Sequence, residues 1–246
     1  MKKVILGILF SIFLVLFGYS AYNIYSWYKD TSDNRSILNN IHRDVVIDYI
    51  PSELDTDYIE IDFGQGISYE NVVGYIKIDN TKIDYPYVQT KDNEYYLNHN
   101  ISGDKNSAGW IFMDYRNDSE YNDRNTILYG HNMKDESMFG SLRTLLNNDF
   151  FVREENRYLK VSTFTKNMIF EVFSIYRIPT TSDYLEINFT DDEYREFLEK
   201  ITSRSLYDFQ TDVTIDEKII TLSTCSGSKE KLVVHAKLIS EQNKTQ

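Results

Sequence analysis

The single cysteine of this 246-residue chain, Cys225, closes the run KIITLSTC and is followed by Ser226-Gly227-Ser228. In a strand, Ile219, Thr221, Ser223 and Cys225 share one face, which puts the thiol at a strand mouth beside hydroxyls and outside any continuous apolar layer. One cysteine excludes an internal disulfide framework and a Cys-rich zinc module. Three roles stay open: an inert buried thiol, an intermolecular half-cystine, or a nucleophile.

A nucleophilic thiol with a pKa of about 8.5 is only a few per cent ionised at neutral pH, so it needs a base or a cation beside it. Four histidines are available. His42 falls in a helical segment and His99 after a Tyr-rich loop, both reading as surface or packing residues, and His235 alternates within LVVHAKLI as a strand-embedded ring. His131 differs: it follows the strand-like NTILYG in a Gly130-His131-Asn132 turn, and a ring at one strand end can meet a thiol at another. With pKa values of about 8.5 and 6.5, moving the proton from Cys225 to His131 costs about two pH units, so roughly 1% of the molecules would hold the ion pair. Acyl transfer also needs a donor for the developing oxyanion. Lys229 and Lys231 follow the cysteine closely, and no Arg occurs after Arg204. Asp114, Asp118 and Asp123 crowd one loop but lack the Gly turn and terminal Glu of a calcium-binding loop, so a solvated acidic loop, no metal and no cofactor are expected.

The elements that must position these residues are mostly short β-type runs rich in Val, Ile and Tyr, at 72–78, 83–89, 108–113, 126–129, 158–163, 168–178, 218–224 and 232–239. Eight such runs divided by turn-rich loops indicate a closed or sandwiched β architecture in place of βαβ units. Two helices interrupt them. Met138, Leu142, Leu145 and Leu146 make one apolar stripe; Tyr194, Phe197, Leu198 and Ile201 make another, opened by Thr190 with Glu193 as a capping box. The second helix sits in a long connection of the kind that carries substrate contacts.

Ahead of the strands, residues 4–27 hold no ionisable group except tyrosines and follow Lys2 and Lys3, a span long enough to cross a bilayer with the N-terminus in the cytoplasm. The run is long for a cleaved signal and no A-x-A site closes it. Tyr19, Tyr22, Tyr25, Trp27 and Tyr28 then read as an interfacial belt. Residues 1–29 are expected to be the cytoplasmic tip and anchor, 30–68 a juxtamembrane helical segment with Ile37, Ile41, Val45 and Val46 at helical spacing, and 69–246 the extracellular domain. The chain carries a formal charge of −12, and since the first 29 residues contribute three lysines and no acid, the remainder carries −15. That excess of acid argues against nucleic acid as a partner.

TLSTC before a final LVVHAKL strand, with YGHNMKDESMFGSL, KDNEYYLNHN and GWIFMDYRN upstream, resembles the sortase family, and class B within it, over about residues 72–239. The resemblance implies a sortase-type eight-stranded β-barrel with N-terminal helices and a helix in the loop between strands six and seven. It implies a cysteine transpeptidase. Cys225 would attack the Thr carbonyl of an NPxT-type C-terminal sorting signal, and a peptidoglycan amine would release the thioacyl product as an anchored surface protein. His131 would move the protons, and Asn93, Leu97, Tyr129, Ser223 and Thr224, with Tyr184 from the long loop, match positions lining the substrate groove. The family has an Arg just before its final strand where this chain has Lys231, which keeps the charge but loses the planar fork. Three readings stand: Lys231 substitutes at reduced efficiency, which its position favours; Arg177 or Arg204 reaches in from the long loop; or the enzyme is weak or inactive. The alternatives to wall anchoring are a pilus-polymerising sortase and a non-catalytic surface binding module.

Overall fold

The computed structural model describes residues 2–64, 66–67, 69–225 and 230–244. Helix α1, Lys2–Asp44, is unbroken over 43 residues, about 65 Å at 1.5 Å per residue. Its N-terminal part is apolar all round and is not buried by any of the described residues, Val4 through Tyr28 being exposed at every large side chain, so it is a candidate membrane anchor by length and composition. Burial begins only at Thr31, Asn34 and Ile41, a stripe at helical spacing that lies against the rest of the molecule.

The segment after α1 departs from the expected helical reading. A two-stranded antiparallel hairpin forms instead, β1 (Ile47–Ile50) with β2 (Tyr58–Ile61), in the register Ile47↔Ile61 to Ile50↔Tyr58. Pro51 ends β1 because it has no N–H to give the ladder, and Ser52 organises the turn by accepting from Leu54 N and donating to Thr56 O. Val46, expected on the helical stripe, is exposed, whereas Ile41 and Val45 are buried.

Eight strands then close a barrel: β3 (Val72–Ile78), β4 (Asp84–Val88), β5 (Phe112–Met113), β6 (Asn125–His131), β7 (Tyr158–Ser162), β8 (Lys166–Pro179), β9 (Ile219–Cys225) and β10 (Glu230–Asn243). Their order around it is β10-β8-β7-β3-β4-β5-β6-β9, which leaves no open edge. The long β8 and β10 pair antiparallel, with register shifts at His235/Ala236 and Leu238/Ser240 that let them curve. Neighbours β6 and β9 run parallel, so their C-terminal ends emerge on the same side.

The stripe at Met138–Leu146 is a run of 3₁₀ helix, Gly140–Leu146, and not the α-helix its spacing suggested. Met138 and Glu136 both take positive φ (53° and 68°) just before it, which leaves no room for a regular α-helical start. Between β8 and β9, the sixth and seventh barrel strands, lies α2 (Asp191–Ser203). Thr190 Oγ1 accepts from Glu193 N while Glu193 Oε2 accepts from Thr190 N, and Tyr194, Phe197, Leu198 and Ile201 are buried against Phe173, Tyr176 and Val233.

Candidate active site at the barrel mouth

The ladder between β6 and β9 runs Tyr129↔Ser223, Gly130↔Thr224, His131↔Cys225. His131 is thus the last residue of a strand and not a turn residue, and it is the register partner of the cysteine. Neighbouring strands lie about 4.8 Å apart, so the two backbones hold these residues side by side at one mouth of the barrel. The Cys225 side chain and residues 226–229, with Lys229 among them, lie outside the described part.

His131 Nε2 meets the Leu97 carbonyl oxygen at 2.8 Å. A carbonyl can only accept, so Nε2 carries a proton and Nδ1 is the nitrogen at which the ring gains or loses one. Leu97 belongs to the short 3₁₀ turn Tyr95–Leu97, whose Tyr96 O accepts from Trp110 N at 3.0 Å.

The remaining expected groove residues converge on the same mouth, and most of them are buried. Tyr129 OH (2.9 Å) and Asn93 Nδ2 (3.0 Å) both donate to Asp114 Oδ2. Tyr184 OH and Ser223 Oγ bond at 3.0 Å, and Thr224 Oγ1 accepts from Leu232 N at 2.9 Å. Tyr184, Ser223 and Thr224 are all within 2% of complete burial, whereas Asn93 and Leu97 reach partial exposure.

Asp114 overturns the expectation of a solvated acidic loop. Its side chain is fully buried, and Arg116 grips it through Nε (2.9 Å) and Nη2 (2.8 Å) while Arg116 N also donates to it. Burial pushes the Asp114 carboxyl up; the bonds from Arg116 and Tyr129 outweigh this and hold it below the usual carboxylate range. Arg116 Nη2 continues to Leu185 O (2.9 Å), so this ion pair links the Asn93 loop, β6 and the long connection between β8 and β9. Asp118 and Asp123 accept from loop donors, among them Glu120 N, Asn122 Nδ2, Asn117 Nδ2 and Asp118 N. The signal for Asp114 was present as Asp-x-Arg within GWIFMDYRN, but nothing in the sequence said that this acid of the three is buried.

For the cation, the β9–β10 ladder ends at Val233↔Ser223, so Lys231 stands two residues past the last pair on one strand and Cys225 two residues past it on the other. Arg177 is exposed on β8 opposite Leu232. Arg204 is committed to Asp183 and lies over the Tyr176 ring at 5.8 Å. Of the other histidines, His42 Nε2 bonds Asp84 O (2.8 Å), His99 stacks on Tyr95, and His235 is buried in the barrel wall.

This geometry has close counterparts. A family model for the sortase domain matches residues 76–239. Sortase B of Listeria monocytogenes is 40% identical over 177 residues, 70% of this chain and 71% of that one. The crystal structure of sortase B from Bacillus anthracis superposes with a TM-score of 0.72 at 40% identity, covering 87% of this chain and 99% of that one. A Staphylococcus aureus sortase B–substrate complex gives a TM-score of 0.66 at 34% identity over 70% of this chain and 81% of that one. The chain therefore belongs to the sortase family, among its class B members, and is a cysteine transpeptidase of cell-wall anchoring.

Proposed function

We propose that Cys225 is the nucleophile and His131 the proton-transfer group of a transpeptidation on an NPxT-type C-terminal sorting signal. The observation that supports this reading is the register pairing His131 with Cys225 at the ends of two parallel strands. The Cys225 thiolate attacks the Thr carbonyl carbon, forming a C–S bond and an oxyanion; collapse of the oxyanion breaks the peptide C–N bond, and the departing amine takes a proton from His131. An amine of peptidoglycan or its precursor then attacks the thioester, yields a proton to His131 and expels the thiolate. Since Nε2–H stays on Leu97 O, the moving proton is the one on Nδ1.

Lys231, level with Cys225 along the β9–β10 register, supplies the positive charge facing the oxyanion. Asn93 and Leu97 contact the peptide at the rim, while Tyr129, Tyr184, Ser223 and Thr224 shape the floor beneath it. Residues 1–29 anchor the chain with the N-terminus cytoplasmic, residues 30–68 lead to the domain, and residues 69–246 work outside on surface proteins that bear the signal. The full chain in detergent with a fluorogenic NPxT-type peptide tests the assignment. Cleavage is expected in the wild type, retained or raised in Lys231→Arg and abolished in Lys231→Ala; full activity in Lys231→Ala removes this lysine from the mechanism.

A further inference from the structure

We infer that Asn34, on the part of α1 beyond the apolar span, is a positioning residue for the His131 ring, acting through the turn at residues 106–109; the inference rests on His131 being the proton-transfer group. Asn34 is 4% exposed and its Nδ2 donates to Gly109 O at 3.0 Å. One turn earlier on the helix, Asp30 Oδ2 accepts from Ser107 N (2.9 Å) and Ser107 Oγ (2.6 Å), and Asp30 O accepts from Asn106 Nδ2 (2.8 Å). The turn is also closed on itself, Asn106 Oδ1 accepting from Ala108 N (2.9 Å) and Asn106 O from Gly109 N (3.0 Å). Helix and turn therefore move as one piece.

Gly109 brings that piece against the site. Its φ is +57°, and a Cβ there would strike the Tyr96 carbonyl and stand 2.9 Å from Leu97 O and 3.0 Å from His131 Cδ2. The absence of a side chain at Gly109 thus lets its backbone lie beside both the imidazole and the carbonyl that fixes its tautomer, with no room for a Cβ between them. Shifting the turn changes the angle at which Leu97 O receives Nε2–H, and with it the aim of Nδ1. Packing alone does not call for an amide at this seam. Asn34 Oδ1 is buried without a hydrogen-bond partner among the described residues, a burden that an apolar side chain would avoid, so the N–H donated to Gly109 is what the asparagine contributes.

The test uses the full chain in detergent with three variants: Asn34→Ala, Asn34→Asp, which keeps the shape and removes the donor, and Arg35→Ala, a control beside Asn34 on α1 whose exposed side chain pairs with Asp135 in the segment after β6. Both Asn34 variants are expected to lose about tenfold in kcat with KM nearly unchanged, and to displace the His131 limb of the pH–rate profile. Ring ¹⁵N spectra should show a single Nε2–H tautomer at His131 in the wild type and in Arg35→Ala, and mixed tautomers in the Asn34 variants. Wild-type kcat, pH profile and ring spectra in both Asn34 variants, whatever their melting temperatures, overturn the inference. Wild-type turnover in His131→Asn overturns instead the reading of the site on which it rests.

Discussion

Strand β9 has a histidine on each side, and the two side chains are held in opposite ways. On the β10 flank His235 faces Thr221, in mid-strand and completely buried. Thr221 Oγ1 donates to Asn125 Oδ1 at 2.6 Å, so it accepts from His235 Nδ1 (2.9 Å), and Nε2 then accepts from Tyr176 OH (2.9 Å). With both nitrogens occupied, burial, helped by the nearby Arg204, drives the ring's pKa from 6.5 down to about 3. On the β6 flank His131 faces Cys225 at the strand end, partly exposed, with Nε2 held by Leu97 O. One ring is a neutral bridge across the barrel wall; the other lies at the barrel mouth beside the cysteine. The two differ in position along their strands: His235 lies in mid-strand under complete burial, His131 at a strand end with partial exposure.

Replacing each histidine in turn is the way to break this comparison. His131→Ala should lower turnover by about 10²–10⁴-fold with a melting temperature close to the wild type's, measured by peptide cleavage and calorimetry; a loss below tenfold would erase the distinction. His235→Ala should do the reverse, costing about 2–4 kcal/mol in denaturant unfolding because Tyr176 OH and Thr221 Oγ1 lose their buried partner, while kcat/KM per folded molecule stays unchanged.

Acid sharpens the same contrast. His235 has a folded pKa below its unfolded value, so its contribution is complete above about 6.5 and is lost as pH falls from there toward about 3. As pH falls from about 6 toward 5, unfolding free energy should drop by roughly 1 kcal/mol per pH unit from this residue alone. His235→Gln should flatten that slope. Asp114, a carboxyl held low, adds its own loss only at lower pH, as the fall passes through its folded pKa.

Much of the barrel was legible because its signals are local. The run at Val72–Ile78 is rich in Val, Ile and Tyr, and Thr190 with Glu193 marks the start of α2 whatever surrounds it. The hairpin at Ile47–Ile61 was hidden by the acidic, Gly-containing stretch that follows Pro51, and β5 is two residues long, too short for any period to register. Leucines at Leu142 and Leu145 fit a 3₁₀ turn as well as an α-helical one; only the positive φ at Met138 separates them. At the site, residue type singled out Cys225 and His131, but their pairing needed a register joining segments 94 positions apart. The burial of Asp114 and the closeness of Gly109 to the imidazole, which leaves no room for a Cβ, are tertiary facts with no local trace.

The central claim, that Cys225 accepts the acyl group beside His131, is tested most directly by the intact mass of the full chain mixed with an NPxT-type peptide in the absence of an amine acceptor. The account predicts a mass gain equal to the acyl fragment ending in Thr, mapped to Cys225, discharged by adding an amine and missing in Cys225→Ala. An adduct on any other residue, or cleavage of the peptide by Cys225→Ala, would contradict it.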